Sequence, residues 1–385
     1  MRTLLTASRL LTRDGIVQHP TIVLDDGQIA EILTGAENEA LPGGLSFPDA
    51  LLVPAYLDIH IHGAAGQDVM EGTAEALATI GAWIGARGVG GYLPTTVTSS
   101  MESTLRALDG IAHAIERPSE TGAVPLGIHL EGPFLSHSKR GVHPEKLLER
   151  PSIPLFDRFW QAARGHIRLM TIAPELPEAL ELIEHASKRG VVCSLGHSNA
   201  TYREAEAGFC AGARSATHTF NAMHSLEHRE PGIAGYVLDK DDLFAEILCD
   251  GIHVDPAMIR LFFKAKGPER GILITDGISA TGMPDGNYQL GDLDVTVEKG
   301  RCTLAGSAGT LAGSVLTMDR AVRNFAGFTG SGLPSAAALA ARNPAELLGI
   351  EEEWGVLEEG RQANITVLSP TGEVVQVFRA GRPVL

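Results

Sequence analysis

The chain has 385 residues, of which 44% are hydrophobic and 20% are charged. This composition is typical of a globular protein with a large core and argues against a disordered chain. The formal net charge of −16 argues against a general nucleic-acid binder and against a protein attracted to anionic membranes. An anionic ligand would therefore need a local basic pocket.

The cysteines and the hydropathy of the sequence indicate where in the cell the protein is located. The four cysteines include no CxxC pair, so the sequence indicates neither a zinc knuckle nor a disulfide framework. The N-terminal stretch lacks the apolar centre of a signal peptide, and no segment reaches the roughly 18 apolar residues of a membrane span. We therefore expect a cytoplasmic protein with no membrane partner.

The two ends of the chain have similar patterns. Residues 1–52 contain short β-type runs separated by Asp-Gly pairs at 14–15 and 26–27, which are hairpin signals. The last residues contain comparable runs, NITVLSP and VVQVFRAG. Because chain termini often lie close together, we predict one small β-sandwich domain built from residues 1–52 and 354–385.

The middle of the chain, residues 53–353, alternates apolar runs with amphipathic helical stretches, which favours a parallel sheet covered by helices. The candidate strands lie at 51–59, 92–98, 125–131, 167–173, 191–196, 215–220, 244–250 and 271–276. The clearest candidate helices lie at 73–87, 101–116, 177–189, 201–211 and 256–265. Eight such units predict an α/β fold of the (β/α)₈ TIM-barrel type, with a β-hairpin insertion around 282–304.

The first candidate strand carries two histidines, His60 and His62, near its end. Alternate residues of a strand point to the same face, so the two imidazoles project together. Two imidazoles on one face can form half of a metal site. An isolated HxH pair is as often two ordinary loop histidines, so the interpretation depends on other ligands.

Further potential ligands follow the later candidate strands. In chain order these are Glu131, His197, His218, His253 and Asp276. The strand C-termini of a barrel converge on one face, so we expect these side chains to meet there. Imidazole and carboxylate ligands without thiolate suit one or two divalent cations, and zinc, iron(II), manganese and cobalt all stay open.

Two cation positions can be drawn from this set. Glu131, His197 and His218 would form one, and His60 and His62 would form a second, with Glu131 bridging and Asp276 nearby. A cation lowers the pKa of its water, and Asp276 could accept that water's proton and pass it to a leaving group.

The same segments carry a specific resemblance. LDIHIHG, GIHLEGPF, LGHSNAT, THTFNAMH, REPGIAG, CDGIHVD, LITDG and GTLAGSVLTM resemble, in order and spacing, the N-acetylglucosamine-6-phosphate deacetylase family of the amidohydrolase superfamily. The resemblance implies an enzyme that hydrolyses the N-acetyl group of N-acetyl-D-glucosamine 6-phosphate. Its products would be D-glucosamine 6-phosphate and acetate, in amino-sugar catabolism and cell-wall recycling.

The resemblance also implies residue roles. Glu131, His197 and His218 would be the primary metal ligands, Asp276 the catalytic acid/base, and His143 the group that polarises the acetamide carbonyl. The implied substrate-binding residues are Val142, His143, Asn221, Ala222, Arg229, His253, Leu311, Ala312 and Gly313. Arg229 would reach the site of a neighbouring subunit, so the resemblance implies a homodimer.

Three alternatives stay open at this stage. The substrate could be N-acetylgalactosamine 6-phosphate, which differs at one stereocentre. A cyclic-amide hydrolase would use a modified lysine at the end of strand four, where RLMTIAPE has none. A catalytically silent barrel would act as a binding or scaffold protein, but such barrels typically lose ligands.

Overall fold

The computed structural model describes residues 2–34, 44–307 and 309–384. Within these residues the chain forms 22 strands and ten α-helices. The strands are β1 (Thr3–Thr12), β2 (Gly15–Gln18), β3 (Pro20–Asp25), β4 (Gln28–Thr34), β5 (Leu45–Pro54), β6 (Tyr56–Ile61), β7 (Gly63–Ala64), β8 (Gln67–Asp68), β9 (Val89–Thr96), β10 (Val124–Pro125), β11 (Ile128–Glu131), β12 (Ile167–Ile172), β13 (Val192–Leu195), β14 (Ser215–Ala216), β15 (Phe244–Leu248), β16 (Gly271–Ile274), β17 (Gly286–Leu290), β18 (Leu293–Glu298), β19 (Arg301–Leu304), β20 (Ile365–Leu368), β21 (Val374–Arg379) and β22 (Arg382–Pro383). The helices are α1 (Ala74–Gly85), α2 (Met101–Glu116), α3 (Ile153–Ala162), α4 (Ala179–Ser187), α5 (Tyr202–Ala211), α6 (Gly232–Asp239), α7 (Pro256–Arg270), α8 (Met318–Thr329), α9 (Leu333–Ala340) and α10 (Arg342–Leu348).

Both ends of the chain contribute to one mixed sheet. Its described strands follow the order β22-β21-β20-β5-β1-β3-β4, with β2 paired to β1. The sheet curls so that β4, at one end of the strand order, approaches the segment before β20. The amide of Ile29 in β4 donates to the carbonyl of Arg361 at 2.8 Å. A second bond, from the amide of Gly360 to the carbonyl of Ile29 at 2.7 Å, completes this contact.

The curled sheet has a core of its own. Its side chains come from strands at both ends of the chain and from the segment before β20. The buried members are Leu5, Ala7, Leu10, Ile22, Leu24, Ile29, Ala50, Leu52, Leu357, Ala363, Ile365, Val367 and Phe378. Residues that are hundreds of positions apart therefore share one hydrophobic cluster, which is why neither end would bury its apolar face alone.

The middle of the chain forms the predicted parallel barrel. Among the described residues its strand order is β6-β9-β11-β12-β13-β14-β15-β16, and every neighbouring pair is parallel. The barrel closes where the amide of Asp276 donates to the carbonyl of His60 at 2.9 Å and that of His62 donates to the carbonyl of Gly277 at 2.7 Å. Each of the eight candidate strand positions holds a barrel strand, and the fold class is confirmed.

The first candidate strand differs in detail from the structure. The expected run 51–59 is divided at Ala55 into the end of β5 and the start of β6. The amide of Ala55 donates to the carbonyl of Asn364 at 2.9 Å, so the chain passes here from the curled sheet into the barrel. One apolar run therefore serves two sheets, which hydropathy alone does not separate.

The helices begin at identifiable caps. Thr73, Ser100 and Thr201 accept hydrogen bonds from backbone amides at the starts of α1, α2 and α5. Of the helices between successive barrel strands, two have no counterpart among the candidate helices, α3 and α6. Helix α3 has an N-cap at Ser152 and a proline in its first turn, a helix-start signal that was available in the sequence.

Two apolar layers support the barrel. The largest cluster joins strand side chains such as Met170 and Leu273 to helix side chains such as Leu108, Leu182 and Phe325. A smaller cluster joins Leu93, Leu169, Leu248 and Ile272, whose strands are not all neighbours in the sheet, so these side chains meet across the barrel interior. The barrel strands are therefore packed on both faces.

The segment after β16 covers one side of the barrel mouth. Strands β17, β18 and β19 form an antiparallel sheet, which is one strand more than a simple hairpin. Its buried residues Leu290, Val295 and Cys302 pack with Ile278 and Ala312. Among the described residues, none of the helices combines the length and apolar character needed to span a bilayer.

Candidate metal and active site

The polar side chains meet at the carboxyl ends of the barrel strands. His60 lies in β6 and His62 directly follows it, Glu131 ends β11, and His197, His218 and Asp276 each lie two residues beyond the end of a strand. His197, His218 and Asp276 have positive φ angles of 46°, 29° and 49°. Such conformations cost roughly 1–3 kcal/mol each in a non-glycine residue and persist only where the surroundings impose them. The barrel thus turns these three side chains inward at an energetic cost.

Glu131, His197 and His218 form a compact group. Oε1 of Glu131 lies 3.3 Å from Nε2 of His197 and 3.2 Å from Nε2 of His218. The two Nε2 atoms lie 3.1 Å apart. A tetrahedral cation with bonds of roughly 2.0–2.1 Å places its ligand atoms about 3.3 Å from one another. The three side chains therefore fit a divalent cation.

A second group lies beside the first. Nε2 of His62 is 3.3 Å from Oδ1 of Asp276, and Nε2 of His60 is 3.6 Å from the same oxygen. The other carboxylate oxygen of Glu131, Oε2, is 3.2 Å from Nε2 of His62. Nε2 of His60 is buried and has no hydrogen-bond partner in the described part of the chain. Glu131 thus lies between two groups of ligand atoms, as a bridging carboxylate would.

The opposite ring nitrogens are held by acceptors. Nδ1 of His62 contacts the carbonyl oxygen of Thr95 at 3.1 Å, and Nδ1 of His197 contacts that of Lys139 at 2.9 Å. A carbonyl oxygen only accepts, so both Nδ1 atoms carry the proton and donate it. The Nε2 atoms are then left with free lone pairs that point into the site, the arrangement that metal-ligating histidines need.

The carboxylates of the site are held in the ionised form. Burial alone would raise the pKa of Glu131, but His60, His197 and His218 lower it well below its usual range. Burial also opposes ionisation of Asp276, yet the neighbouring histidines His60 and His62 lower its pKa to about 2. Asp276 is therefore available as a proton acceptor at neutral pH.

His143 has the opposite electrostatic setting. Its Nδ1 accepts a hydrogen bond from the amide of Thr98 at 3.3 Å, which leaves the ring proton on Nε2. Burial, followed by the charge of His197, lowers the pKa of His143 to about 3. Nε2 lies 3.7 Å from Oε2 of Glu131. His143 is therefore a neutral imidazole whose N–H faces the ligand cluster, suited to donate to a developing oxyanion.

These groups open into a cavity of about 340 Å³. Twelve of the residues that the sequence analysis singled out line it: His62, Glu131, Val142, His143, His197, His218, Asn221, Ala222, His253, Asp276, Leu311 and Gly313. His60 does not line it and is fully buried. The volume suits a monosaccharide-sized ligand.

Two expected substrate-binding residues lie elsewhere. Ala312 is buried, and its side chain packs in the apolar cluster of the insertion, between two residues that do line the cavity. Arg229 is exposed in the segment before α6 and is not among the residues that line the cavity. Within one subunit, the structure does not bring Arg229 to the site.

His253 provides a basic group at the cavity wall. Its Nδ1 lies 2.6 Å from Oδ2 of Asp250, and Asp250 also accepts from the amides of Ile252 and His253 at 2.8 and 2.9 Å. Burial would lower the pKa of His253, but the hydrogen bond and the charge of Asp250 raise it above its usual value. This histidine is therefore suited to an anionic group of a ligand.

The sequence analysis missed several groups that hold the site. Glu246 is a fully buried acid within the apolar run of β15, and Oε2 of its carboxylate contacts Nδ1 of His60 at 3.1 Å. An acid inside an apolar strand was a signal in the sequence. The backbone carbonyls of Thr95 and Lys139 and the amide of Thr98 carried no such signal, because every residue type offers the same backbone groups.

Comparisons with known proteins identify the family of the chain. The model of the amidohydrolase family matches residues 51–384. The chain is 37% identical over 383 residues to the N-acetylgalactosamine-6-phosphate deacetylase of Escherichia coli O157:H7, covering 99% of each chain. It is 35% identical over 375 residues to the N-acetylglucosamine-6-phosphate deacetylase of Bacillus subtilis (strain 168), covering 97% of this chain and 94% of that protein.

A solved structure extends the similarity to the whole fold. It is an aspartate-to-alanine variant of the N-acetyl-D-glucosamine-6-phosphate deacetylase from Mycobacterium smegmatis, in complex with N-acetyl-D-glucosamine-6-phosphate. The TM-score is 0.94 at 34% identity, and the match covers 100% of this chain and 99% of that one. The chain therefore belongs to the amidohydrolase family, in the branch that contains the amino-sugar-6-phosphate deacetylases.

Proposed function

We propose that the protein hydrolyses the N-acetyl group of N-acetyl-D-glucosamine 6-phosphate, in amino-sugar catabolism and cell-wall recycling. The amide C–N bond breaks, the acyl carbon gains the oxygen of water and leaves as acetate, and the amine of D-glucosamine 6-phosphate gains the proton. The observation that carries the proposal is the meeting of Glu131, His197, His218, His143 and Asp276 in one sugar-sized cavity. The relatives at 35–37% identity support the substrate class.

We propose that the site holds one or two divalent cations. Glu131, His197 and His218 would hold the first, and His60 and His62 would hold the second beside Asp276. Zinc, iron(II), manganese and cobalt all suit this imidazole and carboxylate set. When bound, a cation supplies Lewis acidity, lowering the pKa of a water and polarising the acyl carbonyl.

The side chains around the ligands then have separate tasks. Asp276, ionised at neutral pH, would take a proton from the attacking water and deliver it to the leaving nitrogen. His143 would donate its Nε2–H to the acyl oxygen as negative charge develops there. The ionised carboxylate would thus serve as the proton acceptor and donor, and the neutral imidazole as the hydrogen-bond donor to the acyl oxygen.

The phosphate and sugar would occupy the outer part of the cavity. Asn221, the backbone of Ala222 and the basic His253 are the candidates for the phosphate. Val142 and the Leu311–Gly313 turn would pack on the sugar ring, with Ala312 supporting that turn from below.

A second subunit would complete the phosphate site. Arg229 is exposed outside its own subunit's cavity, and an arginine fork suits a phosphate. We propose a homodimer in which Arg229 reaches the partner's site.

Mixed dimers test this arrangement. R229A and D276N subunits are inactive or weak separately, but a mixed dimer would regain one intact site if Arg229 acts across the interface. No recovery on mixing would place Arg229 in its own subunit's site or outside any site.

The galactosamine epimer is the second candidate substrate, because one relative of equal similarity is a deacetylase for it. Acetate release should be measured with both N-acetylated sugar 6-phosphates and with unphosphorylated N-acetylglucosamine, before and after removal of metal. We expect turnover of the glucosamine substrate that chelation abolishes and metal restores. Faster turnover of the galactosamine epimer would reverse the choice, and no acetate from either would refute the deacetylase function.

We also propose that the reaction takes place in the cytoplasm. The four cysteines, Cys193, Cys210, Cys249 and Cys302, are all free thiols, which suits a reducing compartment. Fractionation of cells expressing the protein at its native level would test this, and recovery in an extracytoplasmic fraction would contradict it.

A further inference from the structure

Glu246 is an acid that the mechanism above does not use. It lies in β15 between apolar neighbours and is 0% exposed. Taking a carboxylate out of water costs several kcal/mol unless it is paired or hydrogen-bonded. Its position in the barrel interior therefore needs an explanation beyond packing.

The hydrogen bonds of Glu246 converge on a single oxygen. Oε2 contacts Nδ1 of His60 at 3.1 Å and accepts from the backbone amide of His218, also at 3.1 Å. The other oxygen, Oε1, is buried without a hydrogen-bond partner among the described residues. Both hydrogen bonds that the carboxylate makes among the described residues therefore come from residues of the candidate metal site.

The contact with His60 decides which ring nitrogen faces the site. With Nδ1 donating its proton to Glu246, Nε2 retains its lone pair and points toward the site, 3.5 Å from Oε1 of Glu131 and 3.6 Å from Oδ1 of Asp276. That Nε2 is buried and has no hydrogen-bond partner in the described residues. A fully buried imidazole with a free lone pair aimed at two carboxylates is the geometry of a cation ligand. A carboxylate on the far nitrogen also raises the basicity of the ligating one.

The hydrogen bond from the amide of His218 connects Glu246 to the Glu131–His197–His218 group. His218 has a φ of 29°, outside the favoured regions for a histidine. Its amide would be buried in this conformation, and Glu246 supplies the acceptor. The same oxygen atom therefore supports the ring of His60 and the backbone of His218, which belong to the two different ligand groups.

We propose that Glu246 is a positioning residue that makes His60 a cation ligand and links the His60–His62 group to the Glu131–His197–His218 group. The inference rests on the proposed metal site but not on the identity of the sugar. It extends to the number of cations, because a His60 held in this way favours occupation of the second position.

Metal binding, measured without substrate, tests the proposal. Metal-free wild type, E246L, E246Q and H60A would be titrated with Zn²⁺ against a chromophoric chelator, and the equivalents retained would be counted by elemental analysis. Leucine has a similar volume but no acceptor, whereas glutamine keeps an oxygen that can accept both bonds. N343A is the matched control. Asn343 is also a fully buried polar residue, and its Nδ2 donates to the carbonyls of Pro268 and Gly271 at the opposite end of the barrel.

We expect the wild type to bind two equivalents of Zn²⁺. E246L should bind the second one about 10–100-fold more weakly, because partners of metal-ligating histidines typically contribute that much. E246Q should lose less, about 3–10-fold, because it keeps the hydrogen bonds and loses only the charge. H60A should lower the affinity for the second Zn²⁺ at least as much as E246L does. The double variant H60A/E246L should have the same affinity as H60A alone. N343A should lower Tm and leave both affinities unchanged.

Several outcomes would overturn the proposal. One is unchanged Zn²⁺ binding in E246L with a lower Tm, which would make Glu246 a purely structural residue. Another is an H60A variant that binds both cations as the wild type does. If E246L does not fold, E246Q decides, and an unaltered second affinity in E246Q is sufficient to reject the proposal. A wild type that binds no cation would refute the proposed metal site itself, before any comparison of variants.

Discussion

The barrel mouth and the curled sheet both contain turns with positive φ angles, but His19 and Asp26 in the sheet are exposed, whereas His197 and His218 at the mouth are buried. In the sheet, the turn between β3 and β4 is made by Asp26 and Gly27, with φ angles of 46° and 84°. Glycine adopts this conformation without a steric penalty. At the mouth, the same region of backbone space is occupied by two buried histidines of the candidate metal site.

The comparison shows where the molecule buries unfavourable backbone conformations. The curled sheet combines regular pairing and an apolar core, and it contacts the amino ends of the barrel strands, for instance through the bond from Thr366 to the carbonyl of Gly88 at 2.9 Å. The barrel mouth contains buried acids, buried histidines and residues with positive φ angles. Substitutions at the mouth should therefore affect turnover first, and substitutions in the sheet should affect stability first. Four predictions test this division.

The largest effect is expected from D276N. The amide cannot accept the water's proton, so kcat should fall about 10²–10⁴-fold, while the thermal midpoint stays close to that of the wild type. Acetate release and elemental analysis of the same preparation would measure turnover and metal content. D292N is the control, since Asp292 is exposed and contacts Ser99 at 2.6 Å. Wild-type turnover in D276N would remove the proposed acid/base.

H143A should have the next largest effect. Loss of one donor to a developing oxyanion costs about 2.7–4 kcal/mol, which corresponds to a decrease of about 10²–10³-fold in kcat. H143Q should recover part of this loss because its amide still donates. H166A is the matched control, because His166 lies at the amino end of β12 and pairs with Glu116 at 3.5 Å. Equal losses in H143A and H143Q would argue against a donor role.

In the curled sheet, I365A should act on stability. Ile365 is fully buried in the sheet's own core, and deleting its side-chain carbons should lower the free energy of unfolding by about 2–5 kcal/mol. I365V should lower it by only about 0.5–1.5 kcal/mol. Denaturant titration would give both values, and kcat/KM of the folded enzyme should not change. A large fall in kcat/KM would show that the two regions are coupled.

The smallest effect is expected from G27A. Gly27 has a φ of 84°, and an added Cβ would lie 2.9 Å from the carbonyl oxygen of Ala380. We expect a loss of about 1–2 kcal/mol in unfolding free energy. G327A is the control, because Gly327 lies inside α8 with open space around an added Cβ. That variant should gain about 0.5–1 kcal/mol. A stabilised G27A would contradict the strain argument.

Much of the site could be predicted from local patterns, for a physical reason. Parallel strands buried on both faces appear as apolar runs, so a polar residue at the end of such a run stands out, as Glu131 and His218 do. Glu246 lies inside its run, and nothing local indicates which histidine it will meet. Its partner His60 is 186 positions away, and barrel closure brings the two together.

The placement of Arg229 was beyond sequence reasoning for a different reason. The segment around it has no hydrophobic periodicity, so its direction depends on neighbouring elements and on any partner subunit. Helix α6, which follows it, was likewise not named in the sequence analysis. The buried face of α6 includes two glycines, Gly232 and Gly235, which have no side chain to mark a hydrophobic period in the sequence.

The sequence by itself determined the repeating strand and helix pattern, the β character of both chain ends, and the position of each candidate ligand near a strand terminus, because these follow from local periodicity. The tertiary structure alone decided which nitrogen of each histidine faces the centre. That choice depends on acceptors such as the carbonyl of Lys139, which lies 58 positions from His197, and on the carboxylate of Glu246. Such contacts exist only once the barrel has closed, since a tautomer is set by spatial neighbours.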